Sequence, residues 1–340
     1  MKVIKINKIY TNRSSNISPS WHVVYEWEDI FAQKLNAELV GYGDEDNIFH
    51  RRNIKKKLIN SYKLNFIRAE IRKIFPFDPK YKLIFFLTPP SEYSFLTNCN
   101  VIPVILDFWK QTDYKRLNII FKNTKIVLIT SYEVYNYLKT VNCQFKIKHL
   151  PISISDIYRP SAYPEKDIDI IQVGRQNSVI NSYMERLLNK YPDIEYVSQN
   201  KECGMFNYFS NKKGNLGSFT NREDFLKILK RSKISLMSSP GLDNGIGRTG
   251  GFNPVTPRFL ESAANYCYLL GRYPDNEDFS YFGISEICQE ISDYNLFEKN
   301  IISMLATKFN KFTEYDQFLE KHYTSKRVEL LNEILTENVH

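Results

Sequence analysis

A chain of 340 residues is long for one hydrophobic core, so two domains of ordinary size are expected. Hydrophobic residues make up 43% and charged residues 25%, which excludes a disordered chain, and no apolar run approaches the ~20 residues of a membrane span. The formal net charge of +8 requires anionic partners to be weighed.

Met1-Lys2-Val3-Ile4-Lys5-Ile6-Asn7 alternates charged and apolar residues as a first strand does and does not read as a signal peptide. Strands are predicted over 3–10, 83–87, 102–106 and 126–129, with helices over 21–35 and 132–139 between them. Strands alternating with helices imply a parallel sheet covered on both faces. Residues 51–82 carry Arg51, Arg52, Lys55, Lys56, Lys57 and further basic residues, interleaved with Leu58, Ile59, Tyr62 and Phe66. Such a surface suits an anionic membrane, where each Lys or Arg contributes roughly 1 kcal/mol. Nucleic acid is the rival reading of these charges, and a solvated helix is the plain one. Cys99, Cys143, Cys203, Cys267 and Cys288 show no paired spacing, which indicates neither zinc nor a disulfide framework and suits a reducing cytoplasm.

Two prolines, Pro151 and Pro160, and a charged run over 164–169 suit a linker. A second βαβ half follows: a strand over 168–173, a helix over 183–191, a strand over 195–197, a helix over 222–231 and a buried strand over 234–237. Then comes a loop holding Gly241, Gly245, Gly247, Gly250 and Gly251, five of the chain's 13 glycines. Thr256 and Pro257 signal a helix start, as N-cap and first helical residue. A helix to about Tyr266 and a strand over 268–271 complete a parallel crossover. A glycine-rich loop feeding a helix N-terminus offers N–H groups to an anion, most often a phosphate; a surface loop without a ligand is the alternative.

Three stretches resemble GT-B glycosyltransferases of the kind that build bacterial surface polysaccharides. They are Val173-Gly174-Arg175 after the linker, the glycine loop with Thr256, Arg258, Phe259, Glu261 and Ala263-Ala264, and the terminal segment from His322 to Leu331. The resemblance covers roughly 125–335 well and the first third in outline. It implies an α/β fold with two Rossmann-like domains facing each other across a cleft: 1–155 for the acceptor, 156–320 for the nucleotide-sugar donor, and a C-terminal helix over 321–340 packing back towards the first. Gly250, Gly251, Thr256, Arg175 and Arg258 would then contact the donor pyrophosphate, and Glu261 would hold the ribose hydroxyls. Asn265-Tyr266-Cys267 departs from the small residue and glycine usual at that helix end.

The leaving group is a nucleoside diphosphate, so basic side chains and helix N–H donors stabilise the charge that develops on it. Asp167-Ile168-Asp169 has metal-binding spacing but opens a strand at the far edge and reads as linker charge. No metal and no separate cofactor are expected. An inverting enzyme needs a base from the first domain. His22, after the first strand, and Asp107, closing another, are equal candidates, and a retaining enzyme needs neither. The expected partners are the donor, a glycan or lipid-linked acceptor and an anionic membrane surface, without nucleic acid, at the cytoplasmic face. The competing reading is a non-catalytic α/β module that binds a nucleotide or nucleic acid. An oxidoreductase fits poorly, because no Gly-x-Gly-x-x-Gly follows the first strand.

Overall fold

The computed structural model describes residues 5–13, 19–41, 80–90, 101–111, 113–121, 124–174, 176–202, 205–218, 221–243 and 245–337. The chain divides into two compact units, one of residues 1–151 together with 327–340 and one of 152–326. Among the described residues no helix is long and apolar enough to cross a membrane. The basic run falls outside the described residues apart from Lys80 and Lys82 at its end, and so does Arg175.

The first unit is a parallel sheet of six strands: β1 (Lys5–Thr11), β2 (Glu38–Gly41), β3 (Lys80–Phe86), β4 (Val101–Ile105), β5 (Val127–Ile129) and β6 (Ile147–His149). Their order is β2-β1-β3-β4-β5-β6. β4 and β5 read Val-Ile-Pro-Val-Ile and Val-Leu-Ile and are buried throughout, the continuous apolar signature of strands covered on both faces. Among the described residues of 1–151, the helices are α1 (Pro19–Leu35), α2 (Asp113–Ile120) and α3 (Tyr132–Thr140), the last capped by the Ser131 hydroxyl. Sequence reasoning passed over β2, β6 and α2, which are short.

The second unit has β7 (Ile168–Gln172), β8 (Tyr196–Glu202), β9 (Met205–Ser210), β10 (Gly214–Ser218), β11 (Ser232–Ser238), β12 (Tyr268–Arg272) and β13 (Cys288–Glu290). The order is β10-β9-β8-β7-β11-β12-β13. β7, β8, β11, β12 and β13 run parallel, while β9 and β10 turn back antiparallel at one edge. That meander is a departure from the expected simple βαβ unit. Its signals were the alternation Phe206-Asn207-Tyr208 and the turn Asn211-Lys212-Lys213-Gly214.

Helices α4 (Ser178–Lys190) and α5 (Arg222–Lys230) follow β7 and β10. α4 begins five residues before the expected start, because Asn177 caps it by accepting from the Val179 and Ile180 amides. The glycine loop contains a single helical turn, α6 (Ile246–Thr249), and leads into α7 (Pro257–Ala264). α8 (Glu277–Phe282), α9 (Tyr294–Ala306), α10 (Phe312–Glu320) and α11 (Thr324–Glu337) complete the chain. Within this unit Thr324 is tied to Ile154 by backbone and hydroxyl bonds, and Ser325 to Asp156.

Candidate functional site

In an open α/β sheet, ligands bind beyond the carboxyl ends of the strands where the strand order reverses. In the second unit that point lies between β7 and β11. β7 is followed by Gly174, and β11 by the glycine loop.

The loop is a built structure. The Gly241 amide donates to Asn253 Oδ1 at 2.8 Å, and Asn253 Nδ2 donates to the Gly251 carbonyl at 3.3 Å. A Cβ at Gly245 would lie 2.1 Å from the Pro240 carbonyl oxygen, so backbone packs on backbone there. Gly250 and Gly251 take φ of 61° and 98°, in the left-handed region, and both are exposed. Among the described residues, Ser239 Oγ, Thr249 Oγ1 and Thr256 Oγ1 are buried without a hydrogen-bond partner. Buried hydroxyls normally have one, so these three are open to a further partner such as a water or a ligand oxygen. Thr256 occupies the N-cap position of α7 with extended backbone, and Pro257 opens the helix, but the Thr256 hydroxyl makes no capping bond. This corrects its expected capping role and leaves that hydroxyl among the orphans.

Arg258, in the first turn of α7, does not point outward. Its Nη1 donates to the Val173 carbonyl at the end of β7, at 3.3 Å. The guanidinium fills the space a side chain at Gly174 would need, since a Cβ there would lie 1.1 Å from Nη1. The Gly174 amide in turn donates to Gln199 Oε1. A fixed positive charge thus stands at the carboxyl end of β7. Glu261, one turn further along α7, is 3% exposed and accepts from Arg222 Nη1 at 2.5 Å. The Arg222 guanidinium lies over the rings of Tyr158 and Phe225, 5.6 Å and 5.7 Å from their centres. Sequence reasoning missed this partner. It sits 39 residues from Glu261 with no local pattern to announce it. Tyr208 on β9 feels the charges of both Arg258 and Glu261, and burial holds its hydroxyl protonated well above the ordinary range. Asp167 and Asp169 pair with Arg231 and Lys233 at the amino-terminal end of β7, away from this edge.

In the first unit the strand order reverses between β1 and β3. His22 lies in the first turn of α1 with its ring 6.3 Å from Tyr25, and Asp107 follows β4 with its amide bonded to the Leu87 carbonyl. A denser polar cluster, absent from the sequence-based candidates, adjoins β1. Arg13 donates to Glu28 at 3.1 Å, Asp29 at 2.9 Å, the Tyr25 carbonyl and Thr11 Oγ1. Burial pushes the Glu28 carboxyl up to about 7 against the opposing hydrogen bonds from Thr11 and Arg13. His149, at the end of β6, shares a hydrogen bond with the Thr130 carbonyl, which only accepts, so Nε2 carries the proton. Burial lowers this imidazole to about 4 despite that bond, and the Arg327 charge lowers it further.

These two groups give opposite pH slopes. Glu28 binds its proton more tightly when folded, so its contribution is present below about pH 4.5 and lost as pH rises to about 7. His149 binds its proton less tightly when folded, so its contribution is present above about pH 6.5 and lost as pH falls to about 4. Each is worth up to about 3 kcal/mol. Between pH 5 and 7, urea unfolding of Glu28→Gln is expected to rise in midpoint with pH more steeply than wild type. His149→Asn is expected to fall. Parallel profiles in all three proteins would contradict both assignments.

No protein-family model matches the chain, and no curated protein does. Among solved structures, TarM superposes with a TM-score of 0.52 at 11% identity, over 78% of this chain and 57% of its own. The pneumococcal O-GlcNAc transferase GtfA in complex with UDP and GlcNAc gives 0.49 at 12% identity, over 82% and 60%. The GtfA/B complex gives 0.48 at 11%, over 81% and 60%. The chain thus spans at most about three fifths of the length of these proteins. The fold, two Rossmann-like α/β units, is of the GT-B type.

Proposed function

We propose that the chain is a glycosyltransferase that takes a sugar from a nucleoside-diphosphate donor held at the carboxyl edge of β7 and β11. One observation carries this reading: the Arg258 guanidinium stands at the end of β7 beside a packed glycine loop with three unpartnered hydroxyls. Arginine and hydroxyl donors of this kind receive a pyrophosphate and stabilise the charge it gains as the glycosidic bond breaks. The α7 N-terminus adds N–H groups and the positive end of its dipole. Gly250 and Gly251 let the loop backbone approach the phosphates, Thr256 supplies a hydroxyl, and Glu261 accepts from the ribose. Arg175, next to Gly174 in sequence, supplies a second guanidinium.

The transfer is proposed to be metal-independent. The carboxylates nearest this edge, Glu261 and Asp243, are engaged by Arg222 and Arg272, so a cation would have to compete with two guanidinium groups. The acceptor is proposed to be a glycan or lipid-linked glycan in surface polysaccharide synthesis, bound by the first unit, with His22 or Asp107 as base if configuration inverts. The basic residues of 51–82 would bring the enzyme to an anionic membrane at the cytoplasmic face.

Calorimetry with UDP, GDP, CDP, CMP and dTDP, with and without EDTA, tests the donor site. At least one diphosphate is expected to bind, with EDTA making no difference. Binding by none of the five, or binding abolished by EDTA, would overturn the reading. Release of nucleoside diphosphate from a panel of nucleotide sugars separates an enzyme from a module that only binds.

A further inference from the structure

Asp243, two residues into the glycine loop, has a backbone and a set of partners that a solvated loop residue has no need of. Its φ is 47°, in the left-handed region that non-glycine residues enter rarely. That conformation aims its carboxylate at two neighbours. Arg272, the last residue of β12, donates through Nε to Oδ2 at 2.7 Å and through Nη2 to Oδ1 at 2.8 Å, a two-bond fork. Asn177 Nδ2 donates to Oδ2 at 2.8 Å, while its Oδ1 caps α4 just after β7. The remaining nitrogen of Arg272 donates to the Ile291 carbonyl beyond β13, and the Arg272 carbonyl accepts from the Ser239 amide. Asp243 and Arg272 together therefore join the segments leaving β7, β11, β12 and β13 at the edge where the donor is proposed to bind.

We infer that Asp243 is a positioning residue: with Arg272 and Asn177 it locks the entry of the glycine loop to the strand ends, so that the phosphates meet a cradle already formed. The inference rests on the donor-site reading and extends it to residues that touch no donor atom. Arg175 and the loop glycines Gly250 and Gly251 lie in the segments 174–177 and 239–253, the two segments the Asn177–Asp243 bond ties together. A loop ordered in advance spares the ligand the entropy of ordering it. Arg272 also holds the Asp243 carboxyl below the ordinary carboxylate range, so the lock stays charged at neutral pH.

The test uses the full chain with Asp243→Ala, Asp243→Asn and Arg272→Lys, the last keeping the charge but losing the fork. Amide hydrogen exchange over 239–253 is followed without and with saturating UDP, beside calorimetry with UDP and with uridine. Asp243→Ala is expected to exchange at least about tenfold faster in this loop when free, and to bind UDP at least about tenfold more weakly. Uridine, which lacks the phosphates, is expected to bind within about twofold of wild type, and saturating UDP to restore protection; Asp243→Asn should fall between. A merely structural ion pair would weaken both ligands alike or neither. Wild-type exchange and wild-type UDP affinity in a folded Asp243→Ala overturn the inference while leaving the donor site standing. If Asp243→Ala does not fold, Arg272→Lys carries the same comparison. If another of the five nucleotides is the one that binds, it and its nucleoside replace UDP and uridine. If wild type binds none of the five, the donor-site reading falls and this inference falls with it.

Discussion

Arg222→Ala is expected to destabilise the unit of 152–326 by about 3–5 kcal/mol, the largest effect of any single substitution considered. The side chains of Arg222 and Glu261 are only 15% and 4% exposed, so removing the guanidinium strands a carboxylate away from water. Glu261→Gln should cost less, because the amide oxygen still accepts from Arg222. Replacing both partners, Arg222→Met with Glu261→Leu, should recover most of the stability, since a buried pair is often matched by apolar groups of similar volume. The double variant separates folding from binding: a stable protein that no longer holds a nucleoside diphosphate assigns the pair to the ligand, and Glu261→Gln then tests the carboxylate alone. Urea unfolding monitored beside calorimetry decides the matter. Wild-type stability in Arg222→Ala would show that the pair is not buried as described.

Gly174→Ala is expected to lower stability by about 1–2 kcal/mol and nucleoside-diphosphate affinity by at least about tenfold. The first effect follows from the backbone, because φ at Gly174 is +82° and a Cβ meets the adjoining carbonyl in that region. The second follows from the space the new methyl group claims, which is occupied by the end of the Arg258 side chain. A guanidinium is flexible enough to move aside, so the protein should still fold, but its charge leaves the end of β7. Gly247→Ala is the control: its φ is not positive, and an added Cβ meets nothing within 4 Å. It is expected to leave affinity unchanged and to raise stability by a few tenths of a kcal/mol. Equal diphosphate affinity in wild type and a folded Gly174→Ala would remove Arg258 from the phosphate side.

Much of the second unit was legible because its signals are local. The strand over 234–237, the five glycines, the Thr256-Pro257 helix start and the strand over 268–271 all lie within one crossover, and β11, α7 and β12 follow them closely. Arg258 could be assigned to the first helical turn for the same reason. What it points at could not, because the Val173 carbonyl lies 85 residues away. The partners of Glu261 and Asp243 were hidden likewise, since an Arg in a helix or at a strand end reads as a solvated charge until the fold brings it to a carboxylate. The β9–β10 hairpin was lost to the expectation of uniform βαβ units, although its turn residues were in view. In the first unit, Glu28 looks like any charge on a helix. Only its burial beside Arg13 sets it apart.

The first unit is discontinuous, since residues 327–340 belong with 1–151. Synthesis on the ribosome proceeds from the amino end, and domains generally fold as units in the order they emerge. Here the order is inverted for one of them. The segment 152–326 has all its strands in hand before the last helix is translated, whereas the earlier segment waits for residues made after its neighbour is complete. A nascent chain of 151 residues lacks the helix that sets Glu337 2.9 Å from Lys148 and brings the Arg327 charge to bear on His149. Of the two units, the one whose residues are made first is therefore the last to receive all of its parts.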